Sequence, residues 1–138
     1  MTLRWLIDKS TLARLGKPSI ASVLTPRIDA GQVGCCVVTD LEVGYSARSV
    51  ADHDAILALL ERLVPVIMPL RAEQIARATQ RRLVESGHHR GAGVADLLVA
   101  AIAETVGLTV LHYDHDFDVI ASVTGQRTEW IVPAGAAD

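Results

Sequence analysis

Residues 33–38 read VGCCVV, a six-residue run that contains no charged side chain. A strand with one face in solvent alternates apolar and polar side chains, whereas a strand covered on both faces is a continuous apolar run. Strands of the second kind occur mostly in parallel sheets, because crossover helices cover both faces of such sheets. The stretch therefore predicts a buried strand of a parallel sheet.

Predicted strands and helices alternate outward from this run in both directions. We expect the other strands at residues 3–7, 65–68, 108–113 and 128–132, and helices at residues 10–15, 19–31, 41–48, 51–63, 71–85, 94–106 and 116–122. Such alternation is typical of parallel strands joined by helices. No repeat or linker interrupts it, so we expect one α/β domain over residues 1–138, with helices on both faces of the sheet.

Helix starts are predicted from residues that commonly cap helices. Ser10, Ser19 and Thr39 stand near expected helix starts, and all three are of preferred N-cap types. Pro18 is expected to end the first helix and separate it from the second. Thr39-x-x-Glu42 also fits a capping box, in which the carboxylate returns to the backbone amide of the cap.

Composition favours a compact folded protein over a disordered or membrane-spanning one. Half of the 138 residues are hydrophobic, and the formal net charge is −3. No apolar run approaches the roughly 18 residues that span a bilayer. The N-terminal stretch also lacks the apolar core of a signal peptide, so we expect a cytoplasmic location. Cys35 and Cys36 are adjacent, which favours buried reduced thiols over a disulfide.

The basic residues are distributed unevenly along the chain. The negative net charge predicts no general attraction to nucleic acid. Helix 71–85 nevertheless places several arginines on its predicted outer face, and a polar, glycine-rich loop follows at residues 86–93. The arginines of this region are Arg71, Arg77, Arg81, Arg82 and Arg90. A negative net charge is therefore compatible with a basic surface beside an acidic pocket.

Four acidic residues stand where open α/β sheets bind their ligands, beyond the carboxyl ends of the strands. Asp8 follows the first predicted strand, Glu42 lies one helical turn past the second, and Asp114 ends the fourth. Asp96 lies in the first turn of an apolar helix, from which it can approach the same edge. Taken singly, Glu42, Asp96 and Asp114 also fit ordinary helix caps or first-turn acids. Asp8 fits less easily, because a carboxylate directly after a buried strand is costly without a partner.

Clustered carboxylates have a direct chemical consequence. At a separation of about 4 Å they repel by several kcal/mol even at an effective dielectric of about 20, so a cluster holds protons or recruits a cation. Oxygen ligands alone favour Mg²⁺ or Mn²⁺ over Zn²⁺, and such a metal suits phosphodiester hydrolysis. A calcium-binding EF-hand starting at Asp114 is excluded, because its sixth and twelfth positions hold Val119 and Gly125.

Four motifs in this order resemble PIN-domain ribonucleases of the VapC toxin type, found in VapBC toxin–antitoxin pairs. They are LIDKS at residues 6–10, TDLEVGYSAR at 39–48, ADLLVAAIAE at 95–104 and VLHYDHDFDVIA at 110–121. The resemblance runs over nearly the whole chain. It implies a three-layer α/β/α sandwich around a mainly parallel sheet, and Mg²⁺- or Mn²⁺-dependent endonucleolytic cleavage of RNA, often tRNA or rRNA. A homodimer and a VapB-type antitoxin partner are also implied.

The resemblance assigns roles to individual residues. It implies that Ser10 supports the first acid by hydrogen bonding, and that the metal ligands are Asp8, Glu42, Asp96, Asp114 and Asp116. The chain departs from the family pattern at Lys9, where such toxins often carry a small or hydroxyl residue. Lys9, and Arg90 in the glycine-rich loop, are candidate contacts to the RNA. His112 and His115 are not expected to bind the metal, because the site uses oxygen ligands. Asp118 is expected to face solvent, because Phe117, Ile120 and Ala121 have the helical spacing of a buried face.

Other functions remain open at this point. A catalytically silent PIN-like module that binds RNA or protein would share the fold. A phosphatase of the Asp-x-Asp type and a receiver domain are both disfavoured. The first predicted strand is followed by a single aspartate, and no lysine lies beyond residue 17.

Overall fold

A computed structural model of the chain describes residues 2–138. Five strands form one sheet in the order β3-β2-β1-β4-β5, and every neighbouring pair is parallel. The strands are β1 (Trp5–Ile7), β2 (Val33–Cys35), β3 (Val64–Pro65), β4 (Thr109–His112) and β5 (Thr128–Trp130). The helices are α1 (Lys9–Leu12), α2 (Pro18–Asp29), α3 (Val37–Tyr45), α4 (Val50–Leu60), α5 (Leu70–Glu85), α6 (Val94–Val106) and α7 (Asp116–Thr124).

Alternate side chains of the central strand β1 enter two separate cores. Trp5 and Ile7 pack in one core with α2 residues such as Leu24. Leu6 points to the other face and packs in a core that includes Ile102 of α6 and residues of α5 and α7. Because helices cover both faces, the three-layer α/β/α sandwich and its parallel sheet are confirmed.

The VGCCVV run is half strand and half helix, so the prediction of a strand over residues 33–38 was too long. Strand β2 ends at Cys35, and Cys36 is the extended N-cap residue of α3, which begins at Val37. Valine at both ends of the run is compatible with either structure, so the pattern alone could not place the boundary. Both cysteines are buried free thiols, as expected.

The predicted N-caps were wrong at all three positions. Helix α1 is capped by Asp8, whose side chain accepts the Ser10 N–H. Pro18 begins α2 rather than separating two helices, because the first position of a helix needs no N–H donor. Helix α3 starts before Thr39, whose buried hydroxyl instead donates to the Ile7 carbonyl at 3.2 Å.

The remaining strand and helix boundaries differ from the predicted ones by a few residues. The strand expected at 65–68 is the shorter β3, and α4 begins at Val50 after the N-cap Ser49. No helix of residues 2–138 combines the length and hydropathy needed to cross a bilayer.

Gly34 marks a close approach between β2 and β3. A Cβ added there would meet Val66 Cγ2 at 2.6 Å and the Val64 carbonyl oxygen at 3.3 Å. Valine is branched at Cβ and cannot easily swing that methyl away. The glycine therefore allows the second and third strands to pair at this register.

Gly34→Ala should lower the free energy of unfolding by about 1–3 kcal/mol, because the added methyl overpacks this contact. Urea unfolding followed by circular dichroism measures the change. Gly16→Ala is the matched control, since a Cβ there meets nothing within 4 Å and the glycine is not among those with positive φ. Equal stability of the two variants would contradict the packing argument.

Candidate metal centre

Acidic side chains meet at the carboxyl ends of the two central strands. Asp8 directly follows β1, and Asp114 lies two residues past the end of β4, the strand that pairs with β1. Asp116 begins α7, and Asp96 is the third residue of α6. We call these four residues together with Glu42 of α3 the acidic centre.

Three carboxylates of the acidic centre lie close enough to share one cation. Asp96, Asp114 and Asp116 each offer an oxygen, and these atoms all lie within 4.8 Å of one another. Burial raises the pKa of Asp96 to about 7, helped by its hydrogen bond with Asp116 and by the charges of Asp8 and Asp114. The Gly93 N–H, which donates to Asp96 Oδ2 at 3.2 Å, acts in the opposite direction. Without a cation, this group therefore retains a proton up to near-neutral pH.

Asp8 is the most deeply buried member of the acidic centre, with 2% of its surface exposed. Its Oδ2 accepts hydrogen bonds from the Ser10 N–H at 2.9 Å and the Ser10 hydroxyl at 2.7 Å. The same hydroxyl accepts the Tyr113 N–H at 2.9 Å, so Ser10 joins the segments that follow β1 and β4. Oδ1 of Asp8 has no hydrogen-bond partner among residues 2–138.

Like Asp8, Glu42 has one carboxylate oxygen that lacks a hydrogen-bond partner. Its Oε1 is buried and finds no partner within the described chain, while Oε2 lies 3.5 Å from Lys9 Nζ. The capping-box interpretation of Glu42 is wrong, because α3 starts before Thr39 and the Thr39 hydroxyl is bonded to β1. A buried carboxylate oxygen without a donor is costly, and a cation removes that cost.

The donor set fits a hard divalent cation. The acidic centre offers only carboxylate oxygens, two of which are buried without partners. Asp96 is a first-turn acid of α6, as one interpretation expected, and it accepts the N–H of the N-cap Gly93. Asp114 is not the N-cap of α7, which is His115, but its Oδ1 accepts the Asp116 N–H at 2.9 Å. One oxygen used in a cap leaves the other free for a ligand, so the two roles are compatible.

Two histidines lie near the acidic centre, and neither belongs to the cluster formed by Asp96, Asp114 and Asp116. His112 is fully buried, and burial lowers its pKa. Its Nδ1 accepts the Asp114 N–H at 3.2 Å, which fixes the backbone of that aspartate. His115 is exposed at the N-terminus of α7.

Lys9 and Arg90 occupy different surroundings. Lys9 lies beside Glu42 at the edge of the acidic centre, with half of its side chain in solvent. Arg90 is exposed in the loop between α5 and α6, and the arginines of α5 also face solvent. The structure thus brings Lys9, but not Arg90, into contact with a member of the acidic centre.

Sequence reasoning missed a set of aromatic contacts next to the centre. Asp118 is exposed, as expected, but its carboxylate accepts the indole N–H of Trp130 at 3.2 and 3.3 Å. Trp130 packs in turn against His115 and Tyr113, with ring centroids 4.8 and 5.3 Å apart. Composition was the only sequence signal for these contacts, since a chain with five aromatic residues places two of them, Tyr113 and Phe117, inside the acidic motif.

Comparison with known proteins identifies the family. The family model described as "PIN domain" matches residues 5–123. The chain belongs to the PIN domain family. Its curated relatives include Ribonuclease VapC51 of Mycobacterium tuberculosis (strain ATCC 25618 / H37Rv), which is 42% identical over 100% of both chains. Ribonuclease VapC2 of Mycobacterium tuberculosis (strain CDC 1551 / Oshkosh) is 45% identical over 91% of each chain.

Solved structures share the fold of this PIN domain. The DNA-bound VapBC of Salmonella typhimurium superposes with a TM-score of 0.80 at 20% identity, covering 94% of this chain and 99% of that one. VapBC2 of Rickettsia felis, bound to a promoter DNA fragment, gives 0.77 at 15% identity, with the same coverage. These solved structures confirm the fold, and the family model and the curated relatives confirm the resemblance to VapC-type PIN domains.

The raised pKa of Asp96 predicts an unusual dependence of stability on pH. In the unfolded chain this carboxyl ionises near its ordinary value of 3.8, whereas in the folded protein it holds its proton to about 7. The folded state binds more protons across that window, so without divalent cations stability should fall as the pH rises from about 4 to about 7.

Thermal unfolding in EDTA at pH 5 and pH 8 tests this dependence. Asp96→Asn should melt at a higher temperature than the unmodified protein at pH 8 and close to it at pH 5. Adding Mn²⁺ at pH 8 should stabilise the unmodified protein more than the variant. A variant that melts lower than the unmodified protein at pH 8 in EDTA would argue against carboxylate repulsion.

Proposed function

We propose that this PIN domain is a metal-dependent endoribonuclease toxin of a type II toxin–antitoxin pair, which stops growth until its antitoxin binds. One observation carries the proposal. Two buried, unpartnered carboxylate oxygens and a three-aspartate cluster stand at the end of the sheet, in a chain whose full-length relatives carry the name Ribonuclease VapC.

The acidic centre would hold Mg²⁺ or Mn²⁺. In this proposal, Asp8, Glu42, Asp96, Asp114 and Asp116 are its ligands, either directly or through water. A cation bound there supplies Lewis-acid stabilisation of the phosphoryl oxygens and an activated water for attack on phosphorus. Ser10 fixes the orientation of Asp8 through two hydrogen bonds, so that Oδ1 remains free for the cation.

The proposed substrate is RNA, with tRNA or rRNA as the target class. Lys9 is the cation best placed to meet the scissile phosphate, because it already lies against Glu42. Arg90 and the exposed arginines of α5 are separate candidates for contact with more distant phosphates. Each phosphate contact strengthens binding without reading sequence, so these contacts predict a salt-dependent affinity.

The proposed protein partners are a VapB-type antitoxin and a second copy of the chain. Several solved structures with this fold are VapBC complexes, some of them bound to DNA. An antitoxin arginine inserted among the aspartates would neutralise the same repulsion that the cation does, since guanidinium pairs strongly with carboxylates. Inhibition by the antitoxin and loading with metal would then compete for one site.

Asp8→Asn and Asp96→Asn should fold and lose at least about 100-fold in RNA cleavage, because even indirect support of a metal site is worth roughly 10–100-fold. Cleavage of a labelled RNA in Mg²⁺ or Mn²⁺ measures the loss, and growth of cells that express each variant provides a second readout.

Asp54→Asn is the matched control, because this aspartate is exposed on α4 and should leave cleavage unchanged. Full activity in both site variants would refute the assignment. Inactivity of the unmodified protein together with an absence of Mn²⁺ binding would favour a silent binding module instead.

A further inference from the structure

A cavity of about 710 Å³ opens directly beside the acidic centre. Lys9, Ser10 and Asp114 line the side that adjoins the centre, and Arg14 and Trp130 line other parts of it. Its volume is within the range of about 300–1,000 Å³ that is typical of small-ligand sites. We call it the aromatic cavity, because Tyr113 and His115 complete its lining together with Trp130.

One carboxylate contacts two of the three aromatic side chains that line this cavity. Asp118 accepts the indole N–H of Trp130 and lies 3.4 Å from His115 Nδ1. His115 and Trp130 meet edge to face, and 79% of the His115 side chain is exposed. The exposed His115 ring and the half-buried Trp130 ring are therefore oriented before any ligand arrives, which reduces the entropy lost on binding.

The C-terminal segment, residues 133–138, forms another part of the cavity wall. The Tyr113 hydroxyl accepts the Ala137 N–H at 2.9 Å and donates to Asp138 Oδ1 at 2.7 Å. Arg14 donates to the Ala137 carbonyl and stacks over the Tyr113 ring at 4.5 Å. Lys17 Nζ donates to the Asp138 carbonyl at 2.6 Å. These contacts fix the segment as a wall, so the cavity has a defined shape.

We propose that the aromatic cavity binds a nucleobase of the RNA strand next to the scissile phosphate, stacked against Trp130 and His115. This inference rests on the proposed function and adds a binding site for the RNA next to the acidic centre. A base is planar and has an aromatic face, which suits rings that stand at the surface. Lys9 lies where the cavity meets the acidic centre, so the scissile phosphate beside Lys9 would be attached to the nucleoside whose base occupies the cavity.

Two cationic side chains in the lining meet the phosphates of such a ligand. Arg14 and Lys9 contribute this positive charge, and together they balance the lining carboxylates of Asp114 and Asp138. The backbone of single-stranded RNA follows positive grooves while its bases stack on aromatic side chains. Asp118 acts here as a positioning residue, since it holds the rings and does not line the cavity.

Fluorescence of Trp130 tests the site without relying on activity. The chain has two tryptophans, so Trp5→Phe leaves Trp130 as the only reporter. In an Asp96→Asn background, which prevents cleavage, titration with a mixed-sequence RNA octanucleotide in Mg²⁺ should quench this fluorescence. Adding His115→Ala should weaken the RNA affinity about tenfold or more, the scale of one lost stacking contact.

His53→Ala is the matched control, because His53 is exposed on α4 and lines a different groove. Unchanged Trp130 fluorescence on RNA binding would overturn the proposal, and so would equal affinities of the His115 and His53 variants. RNA that quenches Trp130 but is not cleaved by the unmodified protein would refute the proposed function while leaving the base site intact.

Steady-state cleavage kinetics provide a second test in the natural Trp5 background. Asp118→Ala and His115→Ala should raise KM about tenfold with little change in kcat. Asp118→Asn should largely restore KM, because its amide oxygen can still accept the indole N–H. A loss confined to kcat, or an Asn variant no better than the Ala variant, would contradict the positioning role.

Discussion

The buried carboxylate of Asp8 is the constraint on which the rest of the site depends. It directly follows the central strand, where water cannot solvate it, so its charge must be compensated by the protein or by a ligand. Ser10 satisfies one oxygen with two donors and leaves the other free. The same hydroxyl accepts the Tyr113 N–H just after β4. The side chain that stabilises the Asp8 carboxylate therefore also sets the distance between the chain segments that carry Asp8 and Asp114.

The main features of the fold and the acidic positions could be predicted from the sequence, because both depend on patterns local to a strand or helix. Continuous apolar runs gave the buried strands, and an acid just beyond a strand lies at the sheet edge whatever the details of packing. Helix starts were less predictable. Thr39 looks like a cap in sequence, but its hydroxyl bonds to the carbonyl of Ile7, which belongs to another strand. Such long-range competition leaves no local signal.

For the same reason, the aromatic cavity could not be predicted from the sequence. Trp130 comes from the last strand, yet it contacts a histidine and an aspartate of α7 only because β5 pairs with β4. Asp118 was correctly expected to be exposed. Exposure, however, does not mean absence of a role, since an exposed carboxylate can still orient a neighbouring ring. In VLHYDHDFDVIA the first two aspartates meet Asp96 in the acidic centre, and the third holds an aromatic side chain.

The order of the strands has a consequence for how this protein associates with others. The two edges of the sheet are β3, which has two residues, one of them a proline, and β5, which has three residues. Short edges and proline deny an incoming strand the row of free N–H and C=O groups that it would need to pair. Growth of the sheet from one molecule to the next is thereby discouraged, which leaves the helical faces as the natural surfaces for assembly.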